Sequence, residues 1–143
     1  MCAGREQPEV VKRFFEARKR HDLEGELAEL HEAVVWDMSN SRSPYRGLYR
    51  GHDGFRQIRR EAFEAWADVR REPQAFIEIG EHVVVPMRGR NRGRGGIELD
   101  WTAASVYTLR EGKIARSELY QSPEEAREAA GLSEQDDAQA DSS

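Results

Sequence analysis

The chain has 143 residues and a formal net charge of −5 at pH 7, a length that fits one domain with a substantial core and a charge that argues against general phosphate binding, so no nucleic-acid partner is expected. No apolar run is long enough to span a membrane and the opening Met-Cys-Ala-Gly-Arg-Glu has no secretory apolar region, so no membrane partner and a cytoplasmic location are expected. The single cysteine, Cys2, excludes an internal disulfide, and His21, His31, His52 and His82 lack metal-ligand spacing. Neither a metal nor a cofactor is expected.

Residues 1–7 read as a flexible N-terminus. Pro8 opens a helix to about His21, with Val10, Phe14, Ala17 and His21 at helical spacing. Asp22 caps a short second helix in which Leu23, Leu27 and Leu30 recur. Ala33 to Met38 is β-branched and aromatic and reads as the first strand. Ser39 to Gly51, with Tyr45 and Tyr49, is a loop or irregular hairpin, after which Asp53 caps a long helix running to about Arg70 through Phe55, Ile58, Ala62, Ala65, Trp66 and Val69. Gln74 to Ile79 and His82 to Arg90 are strands that lead into a hairpin, giving consecutive antiparallel strands. Ser122-Pro123-Glu124-Glu125 is a capping box whose helix ends at Gly131, and 133–143 is an acidic, aperiodic tail expected to be disordered.

From Gly96 to Gln121 the pattern is a long hairpin. Trp101, Ala103, Ser105, Tyr107 and Leu109 alternate with more polar residues, and a three-residue loop Arg110-Glu111-Gly112 pairs Leu109 with Lys113, Tyr107 with Ala115, Ser105 with Ser117 and Ala103 with Leu119. The inward face is large at its ends and small at its middle. That shape makes either a pocket or a floor on which helix side chains rest.

Tyr45-Arg46-Gly47, Tyr49 to Phe55, Arg92-Gly93-Arg94-Gly95-Gly96 and the hairpin with Glu111-Gly112-Lys113-Ile114 at its turn, in this order of elements, resemble the SnoaL-like, or nuclear transport factor 2-like and ketosteroid-isomerase-like, superfamily over residues 8–132. The resemblance implies a cone-shaped α+β domain, with a curved antiparallel sheet wrapped around the N-terminal helices and one long helix and enclosing a cavity. It also implies a homodimer through the outer face of the sheet, here Thr102, Ala104 and Val106. It implies the fold more strongly than any reaction.

Aligning Ala33 to Asp37 with the first strand of ketosteroid isomerases places Asp37 at the position of their catalytic general base. A carboxylate in an apolar cavity has a raised pKa and exchanges protons with carbon near neutrality. The alternative is a strand-end aspartate bonded to the Ser39-Asn40-Ser41 turn. Phe14 stands where the isomerase tyrosine would be and Ser105 near its second acid, so steroid isomerisation by that mechanism is not expected. The remaining pocket residues expected are Trp36, Tyr49, His52, Trp101, Ala103, Tyr107, Ser117 and Leu119, around a small hydrophobic, carbonyl-bearing molecule. Three readings follow: turnover of the isomerase, cyclase or hydrolase type, plain binding in the same cavity, and an interaction module whose interior is filled by side chains.

Overall fold

The computed structural model describes residues 3–40 and 47–131. Tyr45 and the acidic tail lie outside them. In chain order the elements are α1 (Ala3–Lys19), α2 (Leu23–Ala28), β1 (Leu30–Asp37), β2 (Leu48–Arg50), α3 (Gly51–Ala65), β3 (Asp68–Pro73), β4 (Ile77–Ile79), β5 (His82–Arg92), β6 (Glu98–Arg110) and β7 (Lys113–Tyr120), followed by a helical segment over 123–131. The seven strands form one curved, unclosed sheet in the order β2-β1-β7-β6-β5-β3, with β4 on the first part of β5. One pairing is not antiparallel: β1 runs parallel to β7, with Trp36 opposite Ser117.

The first helix begins five positions ahead of Pro8. It buries Val10, Val11, Phe14, Phe15 and Ala17, while His21 sits past its end, exposed and in the left-handed region. Asp22 caps α2 by accepting from the Gly25 N–H at 3.0 Å. The long helix stops at Ala65 and not at Arg70. Its apolar spacing continues to Val69, but the Ala67 N–H donates to the Arg92 carbonyl at 2.8 Å and residues 68–73 join the β5 ladder. Inter-strand pairing overrides helical periodicity here. Pro86, which has no N–H for the ladder, lies where β5 exchanges its β4 partner for β3.

The β6–β7 turn has two residues, Glu111 and Gly112, both with positive φ, 55° and 76°, the signature of a type I′ turn. Arg110 therefore pairs with Lys113 and Leu109 with Ile114. That one-residue shift from the three-residue expectation would turn Ser117 and Leu119 to the wrong face. An extra residue at Ala115 restores them, and Tyr107 then faces Ser117 and Ser105 faces Leu119.

The two faces of the sheet are packed differently. On the concave side Phe14, Phe15, Leu30, Val34, Trp36, Phe55, Val83, Val85 and Tyr107 form the core, and each such side chain contributes about 1.5–3 kcal/mol by burial. On the convex side Val84, Ala104 and Val106 are covered by Ala126 and Ala130 of segment 123–131, whose start is held by the Ser122 hydroxyl accepting from the Glu125 N–H at 3.2 Å. Ala104 and Val106, expected on a dimer face, are thus buried within their own chain.

Candidate functional site: a cavity between the long helix and the sheet

A cavity of about 360 Å³ lies between α3 and the concave face of the sheet, at the lower end of the range for small-molecule sites. Trp36 enters from β1, Phe55, Ile58 and Arg59 from α3, Val69 and Arg71 from β3, and Trp101, Ala103, Ser105 and Tyr107 from β6. Ser117 and Leu119 complete the wall from β7. Phe14, Trp36, Phe55 and Tyr107 meet one another at ring separations of 5.0–6.3 Å, so the aromatic wall is fixed by its own edge-to-face packing.

Several residues expected at the site lie elsewhere. Phe14 is fully buried behind the wall. Tyr49 donates its hydroxyl to Glu61 at 3.1 Å, and the His52 Nε2 lies 3.1 Å from the Leu30 carbonyl; neither lines the cavity.

Asp37 is the main correction. Successive strand residues face opposite sides, so with Trp36 in the cavity wall Asp37 points to the convex face. There its Oδ1 accepts from the Ser39 N–H at 3.0 Å and from the Ser39 hydroxyl at 2.5 Å, and its Oδ2 from Arg116 at 2.6 Å. Burial pushes the carboxyl pKa up, but the two Ser39 bonds and Arg116 outweigh it and the net shift is downward. A proton acceptor for carbon chemistry needs the opposite shift and free access. Asp37 has neither.

The charged side chains in the cavity are ones the sequence pattern did not single out. Glu26, on α2, is buried and ion-paired with Arg59 at 2.9 Å and Arg18 at 3.6 Å. The Arg18 guanidinium also lies over the Phe14 ring at 5.1 Å. Burial pushes the Tyr107 phenol pKa up, opposed by Arg18, Ser105 and Arg71. Arg71 is different again: burial, and then the charge of Arg18, pull its pKa down to about 9. Arg18 falls four residues after Phe14, and Arg59 four after Phe55, on the faces that helical spacing already marks as inward. Arg71 becomes legible only when 68–73 is recognised as a strand, because alternation then sets Val69, Arg71 and Pro73 on one side.

Trp101 is held in a defined pose. Its Nε1–H donates to the Asn91 side chain at 2.9 Å, and its indole occupies the space beside Gly89, where a Cβ would be 2.0 Å from the ring. Gly89 is the cross-strand partner of Trp101 on one side and of Arg71 on the other.

Residues 11–117 match the SnoaL-like domain model, and the chain belongs to the SnoaL-like family. No curated protein sequence matches it. Among solved structures it is similar to an NTF2-like protein of unknown function from Burkholderia pseudomallei K96243, at 29% identity and a TM-score of 0.74, over 87% of this chain and 95% of that one. It is similar in fold to TerC, co-crystallised with polyporic acid, at 23% identity and a TM-score of 0.75, over 87% and 98% of the two chains. A further fold neighbour is Rv0760c from Mycobacterium tuberculosis in complex with estradiol-17beta-hemisuccinate, at 14% identity and a TM-score of 0.70, over 80% and 92%.

Proposed function

We propose that this SnoaL-like protein binds a small, mainly apolar molecule in the cavity beneath α3, with Trp36, Trp101 and Tyr107 as aromatic walls and Ala103 and Ser105 as the floor. The observation that carries this reading is the cavity of about 360 Å³ lined by small residues at its centre and by aromatic residues around them. Ligands in TerC and Rv0760c, which share the fold, lend it support. Non-catalytic binding is favoured over proton transfer at Asp37, whose two oxygens are occupied by Ser39 and Arg116. Glu26 is the only carboxylate among the described residues lining the cavity, and two guanidinium groups hold it.

The test is a fluorescence titration with phenylnaphthylamine, a neutral apolar probe, on the wild type and on Ala103→Phe. The larger side chain fills the cavity without removing a wall. Saturable binding to the wild type, weakened about tenfold or more in the variant, is the expected result. Equal binding by the two proteins moves the site elsewhere.

A further inference from the structure

Three guanidinium groups, those of Arg18, Arg59 and Arg71, line the cavity, and one carboxylate, Glu26, answers them. Glu26 is engaged by Arg18 and Arg59. Among the described residues no hydrogen bond or ion pair reaches the side chain of Arg71. Arg71 is half-buried, and a charge partly withdrawn from water without a partner is costly, so protein interiors ordinarily pair it or leave it out. Arg71 nevertheless stands on the inward side of β3, in line with Gly89 and Trp101 across two strand pairings. Because Gly89 has no side chain, the Trp101 indole covers that position and extends toward β3. The cavity therefore presents a fixed aromatic plate and, one strand further on, a forked donor with no partner among the described residues.

We propose that the ligand of this cavity is an acid: an aromatic or otherwise apolar molecule whose carboxylate or equivalent oxyanion is received by Arg71 while its apolar body lies against Trp101. The inference rests on the binding reading above and adds to it the charge of the ligand. Arginine suits the role, since its planar fork binds an oxyanion through two parallel N–H donors, and the attraction is strong where water is scarce. The group stays protonated at neutral pH although burial lowers its pKa to about 9. The opposite charge balance, an excess of carboxylate, would favour an amine. The excess here is positive.

The probes are anilinonaphthalene sulfonate and phenylnaphthylamine, which share one aromatic skeleton and differ by the sulfonate. On the wild type the sulfonate is expected to bind more tightly than its neutral parent, with a preference that shrinks as salt is added and as pH rises through about 9. Arg71→Met is expected to lose about tenfold or more in affinity for the sulfonate, the worth of one charge-assisted hydrogen bond, and to keep its affinity for the parent within about twofold. Arg71→Lys should recover part of the loss. The thermal midpoint of ligand-free Arg71→Met should not fall below that of the wild type, because the substitution removes an unpaired charge. A wild type that binds both probes equally overturns the proposal without recourse to any variant, as does a loss in Arg71→Met that is the same for both. If only the parent binds, the cavity reading stands and the acid is wrong. If neither binds, the cavity reading itself fails.

Discussion

The two faces of the sheet each hold a charged residue, Asp37 buried and Arg71 half-buried, and they treat it in opposite ways. On the convex face Asp37 has both carboxylate oxygens engaged, one by the Ser39 N–H and hydroxyl and the other by Arg116. On the concave face Arg71 lines an open volume, with no partner among the described residues. A charge whose partners are all local holds a strand end in place. One left without partners in a cavity is available to something that enters it. The alignment with ketosteroid isomerases favoured the aspartate as the chemical group, whereas the pattern of partners matches the alternative, a strand-end aspartate bonded to the Ser39 turn.

The comparison breaks first at Glu26. Replacing it with Ala leaves Arg18 and Arg59 in the condition of Arg71, and removing one member of a buried ion pair costs about 3–5 kcal/mol; the exposure of the arginine side chains, 18% and 21%, places the expected loss near the lower figure. Urea unfolding at neutral pH measures it. A loss near zero would mean that cations in this cavity are comfortably hydrated, and the lack of a partner for Arg71 would then say nothing about a ligand.

A smaller effect is expected at Gly89. An added Cβ would meet the Trp101 ring at 2.0 Å, so Gly89→Ala must displace the indole, at an overpacking cost of about 1–3 kcal/mol. Binding of phenylnaphthylamine should weaken more than stability alone would require, because the plate beside Arg71 has moved. Unchanged binding would show that Trp101 is no part of the site.

The convex side is sharpened by Asp37→Asn, expected to cost about 1–2 kcal/mol at neutral pH, since Arg116 is partly exposed and water replaces some of what it loses. The carboxyl pKa is lowered from 3.8 in the folded protein, so the unfolded chain binds the proton more readily. The stabilisation is full above the unfolded value and is lost as pH falls through the folded one. Denaturation midpoints from pH 7 down to pH 2 should therefore fall less steeply in the variant. A variant with the wild-type acid slope would show that Asp37 is not held by its partners. Probe binding at neutral pH should be unchanged.

Much of this was open to inspection in the sequence. The alternation from Trp101 to Leu109 identified the concave face of β6, of which Trp101, Ala103, Ser105 and Tyr107 border the cavity, and the motifs around Gly51 and the hairpin carried the family. The error at Asp37 was itself legible. A strand cannot turn both Trp36 and Asp37 inward, because its side-chain period is two, so placing Trp36 in the pocket already sent Asp37 to the other face. Arg71 was hidden for a different reason: residues 66–70 carry a helical spacing from Trp66 to Val69 that is weaker than the ladder drawing 68–73 onto β5.

Local chemistry determined that the three helices form, the capping of α2 by Asp22 and the alternating faces of β6, because each depends on residues within a few positions of one another. Tertiary structure decided the parallel pairing of β1 with β7, the bulge at Ala115 that keeps Ser117 and Leu119 inside, and which charges have partners. Those outcomes depend on where distant segments meet. Whether Arg71 is paired depends on Glu26, forty-five positions earlier, having been engaged by two other arginines, and no local window of the sequence contains that competition.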